Sequence, residues 1–117
     1  MSAVAKSVFY FGLYLYVVGA TLIVAPNFLL STMQMPTTEE VWIRIVGVLV
    51  IGIAFYYQQA GSKNIHAFFP LTVVARIFVF VSFTALVLLK FVSPMLIGFG
   101  AVDLLGALWT WQALKKG

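Results

Sequence analysis

The sequence predicts an all-α membrane protein, a single domain of residues 1–117 folded as an up-down-up-down bundle of four transmembrane helices. Of its 117 residues, 63% are hydrophobic and only 9% are charged, whereas soluble domains are roughly 45–50% apolar. The hydrophobic residues form four long runs instead of alternating stripes. Each run can cross a hydrocarbon core about 30 Å thick at about 1.5 Å per residue. These observations favour lipid as the main solvent of the folded chain.

The predicted spans cover residues 8–25, 41–57, 68–89 and 94–114. Pro26 follows the first run directly, where a proline ends a helix. Residues 26–36 are too few to cross a bilayer and too apolar to stay in water, so they predict an interfacial turn or short helix between the first two spans. Lys90-Phe91-Val92 leads into a tight hairpin. The third and fourth spans are therefore predicted to be antiparallel neighbours.

The basic residues near the ends of the spans predict the orientation. One face of the membrane carries Lys6, Lys63, Lys115 and Lys116, and the other carries only Lys90 and, just inside the span, Arg44. By the positive-inside rule the lysine-rich face is cytoplasmic, together with both chain termini. Because these lysines flank apolar runs, the net charge of +4 indicates a lipid bilayer as the partner and no nucleic acid.

Three ionisable residues lie inside the predicted spans: Arg44, Arg76 and Asp103. A charge near the centre of a transmembrane helix costs about 2.5–3.5 kcal/mol on insertion scales, so such residues normally face the bundle interior and find partners. Counting residues places Asp103 between the two arginines in depth. Its helical neighbours are mostly small, which lets another helix approach: Phe99, Gly100, Gly106, Ala107 and Thr110. We therefore predict a buried Arg44–Asp103–Arg76 cluster.

Two interpretations of this cluster remain open. The charges could fix the register of the helices, as buried polar groups do in lipid. Alternatively, two arginines and one aspartate leave a net positive site for a carboxylate, phosphate or lipid head group, or for proton relay. An Arg76–Asp103 pair closed on itself would favour the first interpretation, and an open pocket the second.

Several tyrosines and threonines in the predicted spans are candidates to line a cavity. Its candidate lining residues are Tyr14, Tyr16 and Tyr56, with Tyr10 and Tyr57 beside them, and the threonines Thr72 and Thr110. Such a cavity could hold an apolar or aromatic ligand such as a quinone. Anchoring at the membrane interface and helix packing explain the tyrosines equally well.

The residue types needed for most catalytic and metal sites are missing. Cysteine is absent and histidine occurs once, as His66. No nucleotide-binding glycine loop, catalytic triad, pair of carboxylates or zinc motif occurs in the sequence. We expect no catalytic residues, no metal and no cofactor, and an enzyme is the less favoured class.

Several segments carry a resemblance that covers nearly the whole chain. They are Pro26-Asn27-Phe28-Leu29-Leu30, Glu40 to Gly47 with its Trp-x-Arg-x-x-Gly pattern, Tyr56-Tyr57, Arg76, and Val102 to Thr110 with its Asp-x-x-Gly-x-x-Trp-Thr pattern. This pattern resembles small uncharacterised four-helix membrane proteins of bacteria, loosely related to the DoxX-like group. The resemblance implies a compact four-helix domain in a bacterial inner membrane, with Arg44, Arg76 and Asp103 at its most specific positions. It implies no activity for this chain, which lacks a recognisable cofactor ligand.

Three functions follow from these features. The first is a non-enzymatic inner-membrane protein, structural or binding a small anionic or amphipathic ligand through its charged core. The second is a small transporter that works as a homodimer, because four helices rarely enclose a pathway alone. The third is a redox accessory subunit that contacts quinone. A transporter needs a polar cavity, a quinone site needs an apolar slot that ends in a hydrogen-bond donor, and a structural bundle needs neither.

Overall fold

A computed structural model of the protein describes residues 2–90 and 93–116, and this part of the chain is all-helical. Its helices are α1 (Ala3–Val24), α2 (Pro26–Thr32), α3 (Trp42–Ser62), α4 (Phe69–Leu88) and α5 (Met95–Lys116), and a 3₁₀ turn, His66–Phe68, precedes α4. Phe91 and Val92 of the predicted hairpin lie outside the described residues. The predicted helical class is confirmed.

Local capping interactions explain why two helices are longer than predicted. The α1 helix begins at Ala3 because the Ser2 hydroxyl accepts a hydrogen bond from the backbone N–H of Ala5 at 3.1 Å. The α3 helix continues to Ser62 and ends in a left-handed residue, Asn64, with φ of 55°. The N–H of Ile65 then reaches back to the carbonyl of Ala60 at 3.0 Å, which closes the helix end.

The segment after α1 forms a short helix, as the sequence predicted. Pro26 opens α2, where its missing N–H costs nothing, and α2 buries Pro26 and Leu30. Gln34 ends the turn with φ of 56°, and the N–H of Met35 bonds the carbonyl of Leu30 at 2.8 Å. Because α2 packs against α1, the chain folds back onto the bundle here.

Within the described residues, three helical segments are long and apolar enough to cross a membrane: α1, α3, and α4 together with its preceding turn. The α5 helix is as long as α1, with 22 residues each, but it contains Asp103 and ends in Lys115 and Lys116. Large apolar side chains face outward all around the bundle, with Val24 78% and Leu88 74% exposed. Such a surface suits lipid and not water.

The α1 and α3 helices pack antiparallel to each other, and so do α4 and α5. Gly12 of α1 lies against Ala54 and Tyr57 of α3, and Gly19 lies against Gly47. A Cβ atom at Gly19 would come within 2.9 Å of the Gly47 carbonyl oxygen, so these glycines allow the backbones to approach closely. The α1–α3 contact runs along both helices, α4 packs on α5, and α1 also contacts α5 and, less extensively, α4.

The helices are not packed evenly around the bundle. The apolar core lies at the end that holds the start of α1, the end of α3 and the end of α5; it consists of Val4, Ala5, Val8, Phe11, Tyr57, Ala60, Phe69 and Ala113. In contrast, α3 and α4 barely touch each other. A cleft therefore remains between α3 and α4 beyond this core.

Candidate functional site

Arg76 of α4 is the centre of the polar interior. Only 2% of its surface is exposed, and its guanidinium donates three hydrogen bonds. The Nε atom donates to the backbone oxygen of Thr72 at 3.1 Å, and Nη2 donates to the hydroxyl oxygens of Thr72 at 2.9 Å and of Thr110 at 2.8 Å. Thr72 lies one helical turn before Arg76, which explains the local contact. Thr110 belongs to α5, so the third bond joins two helices.

Each threonine hydroxyl is also connected to a backbone carbonyl, either directly or through Ser7. Thr72 donates to the carbonyl of Phe69 at 2.7 Å. Thr110 shares a 2.7 Å hydrogen bond with the hydroxyl of Ser7, which in turn donates to the carbonyl of Val4 at 2.7 Å. Since the single Ser7 proton goes to Val4, Thr110 is the donor to Ser7. The chain of bonds links α4, α5 and α1.

Two aromatic rings complete the surroundings of the guanidinium. The Cζ atom of Arg76 lies 4.7 Å from the ring centre of Phe11 and 5.7 Å from that of Tyr57. Both distances allow a cation–π interaction, which is stronger where water is excluded. Threonine oxygens and aromatic faces thus take the place of a carboxylate partner.

Asp103 does not form the predicted ion pair with Arg76. Its side chain is buried, with 8% exposed, and lines the same cavity as Arg76, close enough for electrostatic interaction. Within residues 2–90 and 93–116, however, no arginine or lysine nitrogen lies within 4.0 Å of a carboxylate oxygen. Thr72 of α4 and Thr110 of α5 hold the arginine instead, and Arg76 and Asp103 both line the cavity without forming an ion pair.

Arg44 lies outside the interior, and the prediction that it joins the cluster is wrong. Its side chain is exposed, and Nη1 donates to the backbone carbonyl of Ile23 at the end of α1. That carbonyl belongs to the last turn of α1, where the helix provides no partner, and a cation is favourable there. Gly47, one turn further along α3, faces α1. Because Arg44 lies on the same face of α3 as Gly47, its side chain lies beside α1 and away from α4 and α5.

The cleft between the helices contains a partly open cavity of about 310 Å³. All four long helices contribute to its walls, and its polar lining side chains are Tyr14, Tyr57, Arg76 and Asp103. Ile53 of α3 and Ala75 of α4 line the cavity and are also exposed at the surface, so the mouth opens sideways between α3 and α4. The volume is at the small end of the roughly 300–1,000 Å³ typical of ligand pockets.

Two residues that line the cavity each have a buried polar atom without a hydrogen-bond partner: Nη1 of Arg76 and the hydroxyl of Tyr14. Nη1 lies close to Gly106 of α5, where an added Cβ atom would come within 3.1 Å of it. Buried donors of this kind are rare, because each forfeits its hydrogen bonds to water. Both belong to residues that line the same cavity. The site therefore combines an apolar space with one carboxylate, and two donors without a partner lie buried in the residues around it.

The tyrosines fall into different positions. Tyr14 lines the cavity as predicted, whereas Tyr16 donates to the side-chain oxygen of Gln58 at 2.7 Å and lines no part of it. Tyr56 is 66% exposed and faces away from the cavity, so its predicted role in the lining is wrong; Tyr57 takes that place and is 6% exposed. Gly12 packs against Tyr57, and this contact sets which of the two tyrosines faces inward. Thr72 and Thr110 do not line the cavity as predicted, because their hydroxyls bond the guanidinium of Arg76 instead.

Two residues that the sequence did not single out belong to the site: Ser7 and Phe11. With Tyr14 they follow the spacing of one face of a helix, at positions i, i+4 and i+7. The signal that could have identified this face is the serine, since a hydroxyl inside an apolar run needs a partner.

The described part of the chain holds no group of three or more His, Asp or Glu side chains that could bind a metal ion. Comparison with models of protein families gives no match, and comparison with curated proteins and with solved structures gives none either. The resemblance to DoxX-like proteins therefore remains a prediction, and the site has to be interpreted from its own geometry.

Proposed function

We propose that this protein is an integral membrane protein of four spans that binds a small amphipathic ligand in the cleft between α3 and α4. The three apolar helices support the membrane location. The α5 helix packs antiparallel on α4, and its Thr110 bonds the buried Arg76. If α4 crosses the bilayer, α5 must share its depth for this bond to exist, so we include α5 as the fourth span.

The ends of the helices support the proposed orientation in a bacterial inner membrane. Ser2 donates to the side-chain oxygen of Asn64 at 3.2 Å, so the start of the chain and the α3–α4 connection lie at the same end of the bundle. Lys116 lines a surface pocket with Ser2, which brings the end of α5 there too. The lysine-rich segments thus share one end, which we assign to the cytoplasm; the short α2 helix then lies at the opposite interface.

The observation that carries ligand binding is an apolar cavity lined by Arg76, Tyr14 and Asp103, in which the arginine and the aspartate do not close on each other. A purely structural bundle would close Arg76 on Asp103 and leave no space between them. Here the cavity stays open, and its mouth faces the lipid between α3 and α4. An amphipathic molecule could enter from the bilayer, bury its apolar body and present an acceptor to Arg76 and Tyr14.

A quinone-associated role is the second candidate, because a quinone also needs an apolar slot that ends in donors, and its carbonyl oxygens would accept from both. A polar route across the membrane, which a transporter requires, has no counterpart in this mainly apolar cavity.

Photo-crosslinking tests the proposal. The probe is an analogue of decan-1-ol with a diazirine in its alkyl chain, added to the purified protein in a non-ionic detergent. We expect saturable labelling that excess decan-1-ol suppresses. Ala75→Trp fills the mouth of the cavity and should abolish this labelling. Val74→Trp, at an exposed neighbouring position outside the cavity, is the matched control and should label as the wild type does.

Circular dichroism of both tryptophan variants verifies that the helices are retained. Labelling that excess decan-1-ol does not suppress in the wild type would overturn the proposal, and so would suppressible labelling that survives in Ala75→Trp.

A further inference from the structure

We propose that the cleft selects an uncharged head group that both accepts and donates hydrogen bonds, such as an alcohol or a primary amide, and discriminates against an anionic one. This inference rests on the proposed function and adds the chemical class of the ligand. It follows from which charges line the cavity and which do not.

The charges facing the cavity cancel. Arg76 and Asp103 both line it, and an ionised carboxylate balances the permanent charge of the guanidinium. Arg44, which would have made the site net positive, bonds the end of α1 instead. No other charged residue lines the cavity within the described residues. An anion that approaches Arg76 here also approaches Asp103, and in a mainly apolar cavity the repulsion between the anion and the carboxylate is only weakly screened.

The hydrogen-bonding groups around the cavity favour a ligand that both accepts and donates hydrogen bonds. Nη1 of Arg76 and the hydroxyl of Tyr14 are donors without a partner. Asp103 is an acceptor that forms no hydrogen bond with another described side chain or backbone group. A hydroxyl group can accept from the first two and donate to the third. A sulfonate or carboxylate can only accept, so it leaves Asp103 without a donor and adds a like charge beside it.

The position of Arg76 makes this arrangement stable without the ligand. Its other two nitrogens are bonded to Thr72 and Thr110, so the guanidinium is fixed and Nη1 is left without a hydrogen-bond partner. Asp103 is thus not needed to hold Arg76 in place. We infer that the carboxylate serves to set the charge preference of the cavity.

Competition against the photoreactive alcohol tests the inference. The two competitors are decan-1-ol and decane-1-sulfonate, which have the same alkyl chain and differ in that the sulfonate is permanently anionic. Both are used well below micellar concentrations. In the wild type, decan-1-ol should suppress labelling at a concentration about tenfold or more below that of the sulfonate, since like charges in contact cost several kcal/mol and each 1.4 kcal/mol is about a factor of ten.

Asp103→Asn tests the role of the negative charge in this preference. The asparagine keeps the size and a hydrogen-bonding group but leaves Arg76 as an unbalanced positive charge, so the preference for decan-1-ol over the sulfonate should fall by about tenfold or reverse. Asp103→Glu keeps the charge and should retain the wild-type order. The wild-type comparison does not depend on whether Asp103→Asn folds.

The outcomes separate the two proposals. If neither competitor suppresses labelling of the wild type, ligand binding in the cleft is refuted. If the sulfonate competes as well as or better than decan-1-ol in the wild type, the cleft still binds amphipaths but the inferred neutral selectivity is wrong. An unchanged preference in folded Asp103→Asn would also overturn the role assigned to Asp103.

Discussion

Removing the hydroxyl of Thr110 tests whether the buried Arg76 holds α4 and α5 together. Thr110 is fully buried, and its Oγ1 accepts from Nη2 of Arg76 at 2.8 Å and bonds the hydroxyl of Ser7 at 2.7 Å. Valine has nearly the same shape without the hydroxyl. Thr110→Val therefore removes both interhelical bonds while it leaves no large cavity.

The expected cost follows from the types of bond that are lost. A hydrogen bond to a charged group contributes about 1.5–3 kcal/mol in soluble proteins and a neutral one about 0.5–1.5 kcal/mol. In membrane proteins measured side-chain bonds average about 0.6 kcal/mol and reach about 1.7 kcal/mol. Because Arg76 keeps its bonds to Thr72, we expect the lower part of the combined range. The free energy of unfolding should fall by about 1–2.5 kcal/mol.

Reversible unfolding in mixed micelles, driven by sodium dodecyl sulfate and followed by circular dichroism, measures this change. Thr84→Val is the matched control, because the Thr84 hydroxyl bonds the Phe80 carbonyl of its own helix at 2.9 Å; its effect should stay within about 0.5 kcal/mol. A double-mutant cycle of Thr110→Val with Arg76→Met should give a coupling energy of at least about 0.6 kcal/mol. Equal effects of Thr110→Val and Thr84→Val, or no coupling, would refute the bridging role of Thr110.

Three further predictions use the same unfolding assay. Gly19→Ala should destabilise the protein by about 1–3 kcal/mol, because its Cβ would lie 2.9 Å from a backbone oxygen of α3. Gly52→Ala is the control and should be neutral or slightly stabilising, because no atom lies within 4 Å of the added carbon. Equal effects of the two substitutions would contradict the close α1–α3 packing. Tyr57→Ala should cost about 3–5 kcal/mol and Tyr56→Ala about 1 kcal/mol or less, since one side chain is buried and the other exposed; the reverse order would show that α3 is rotated. Arg44→Met should cost about 0.3–1 kcal/mol through the end of α1 and leave labelling by the photoreactive alcohol unchanged, and lost labelling would place Arg44 in the site after all.

The sequence was sufficient to predict the long helices, although α1 begins earlier and α3 ends later than predicted because of their caps. It was also sufficient to place Arg76 and Asp103 in the interior, because charged residues in an apolar run must face the protein, but not to show that Thr72 and Thr110 bond Arg76 and leave the cavity lining. Both predictions rest on the cost of exposing polar groups to lipid.

The rotation of each helix about its own axis could not be predicted. In water an amphipathic stripe shows which side of a helix is buried, but α1, α4 and α5 are apolar nearly all round, and lipid is as apolar as their core. Counting residues placed Arg44 at a plausible depth, yet depth alone does not bring side chains together. The same ambiguity applied to Tyr56 and Tyr57, which are adjacent in sequence and point to opposite environments.

The structural and the ligand-binding interpretations of the charged core are compatible, because different atoms of Arg76 serve each. Nε and Nη2 bond Thr72 and Thr110 and connect α4 to α5. Nη1 takes no part in these bonds. Had Asp103 faced Arg76 in a two-pronged ion pair, the carboxylate would have used both donors of one edge of the guanidinium, and the cavity would have lacked a polar end. Since the threonines meet the structural need, Nη1 is not required to hold the helices together and remains for the ligand that we propose.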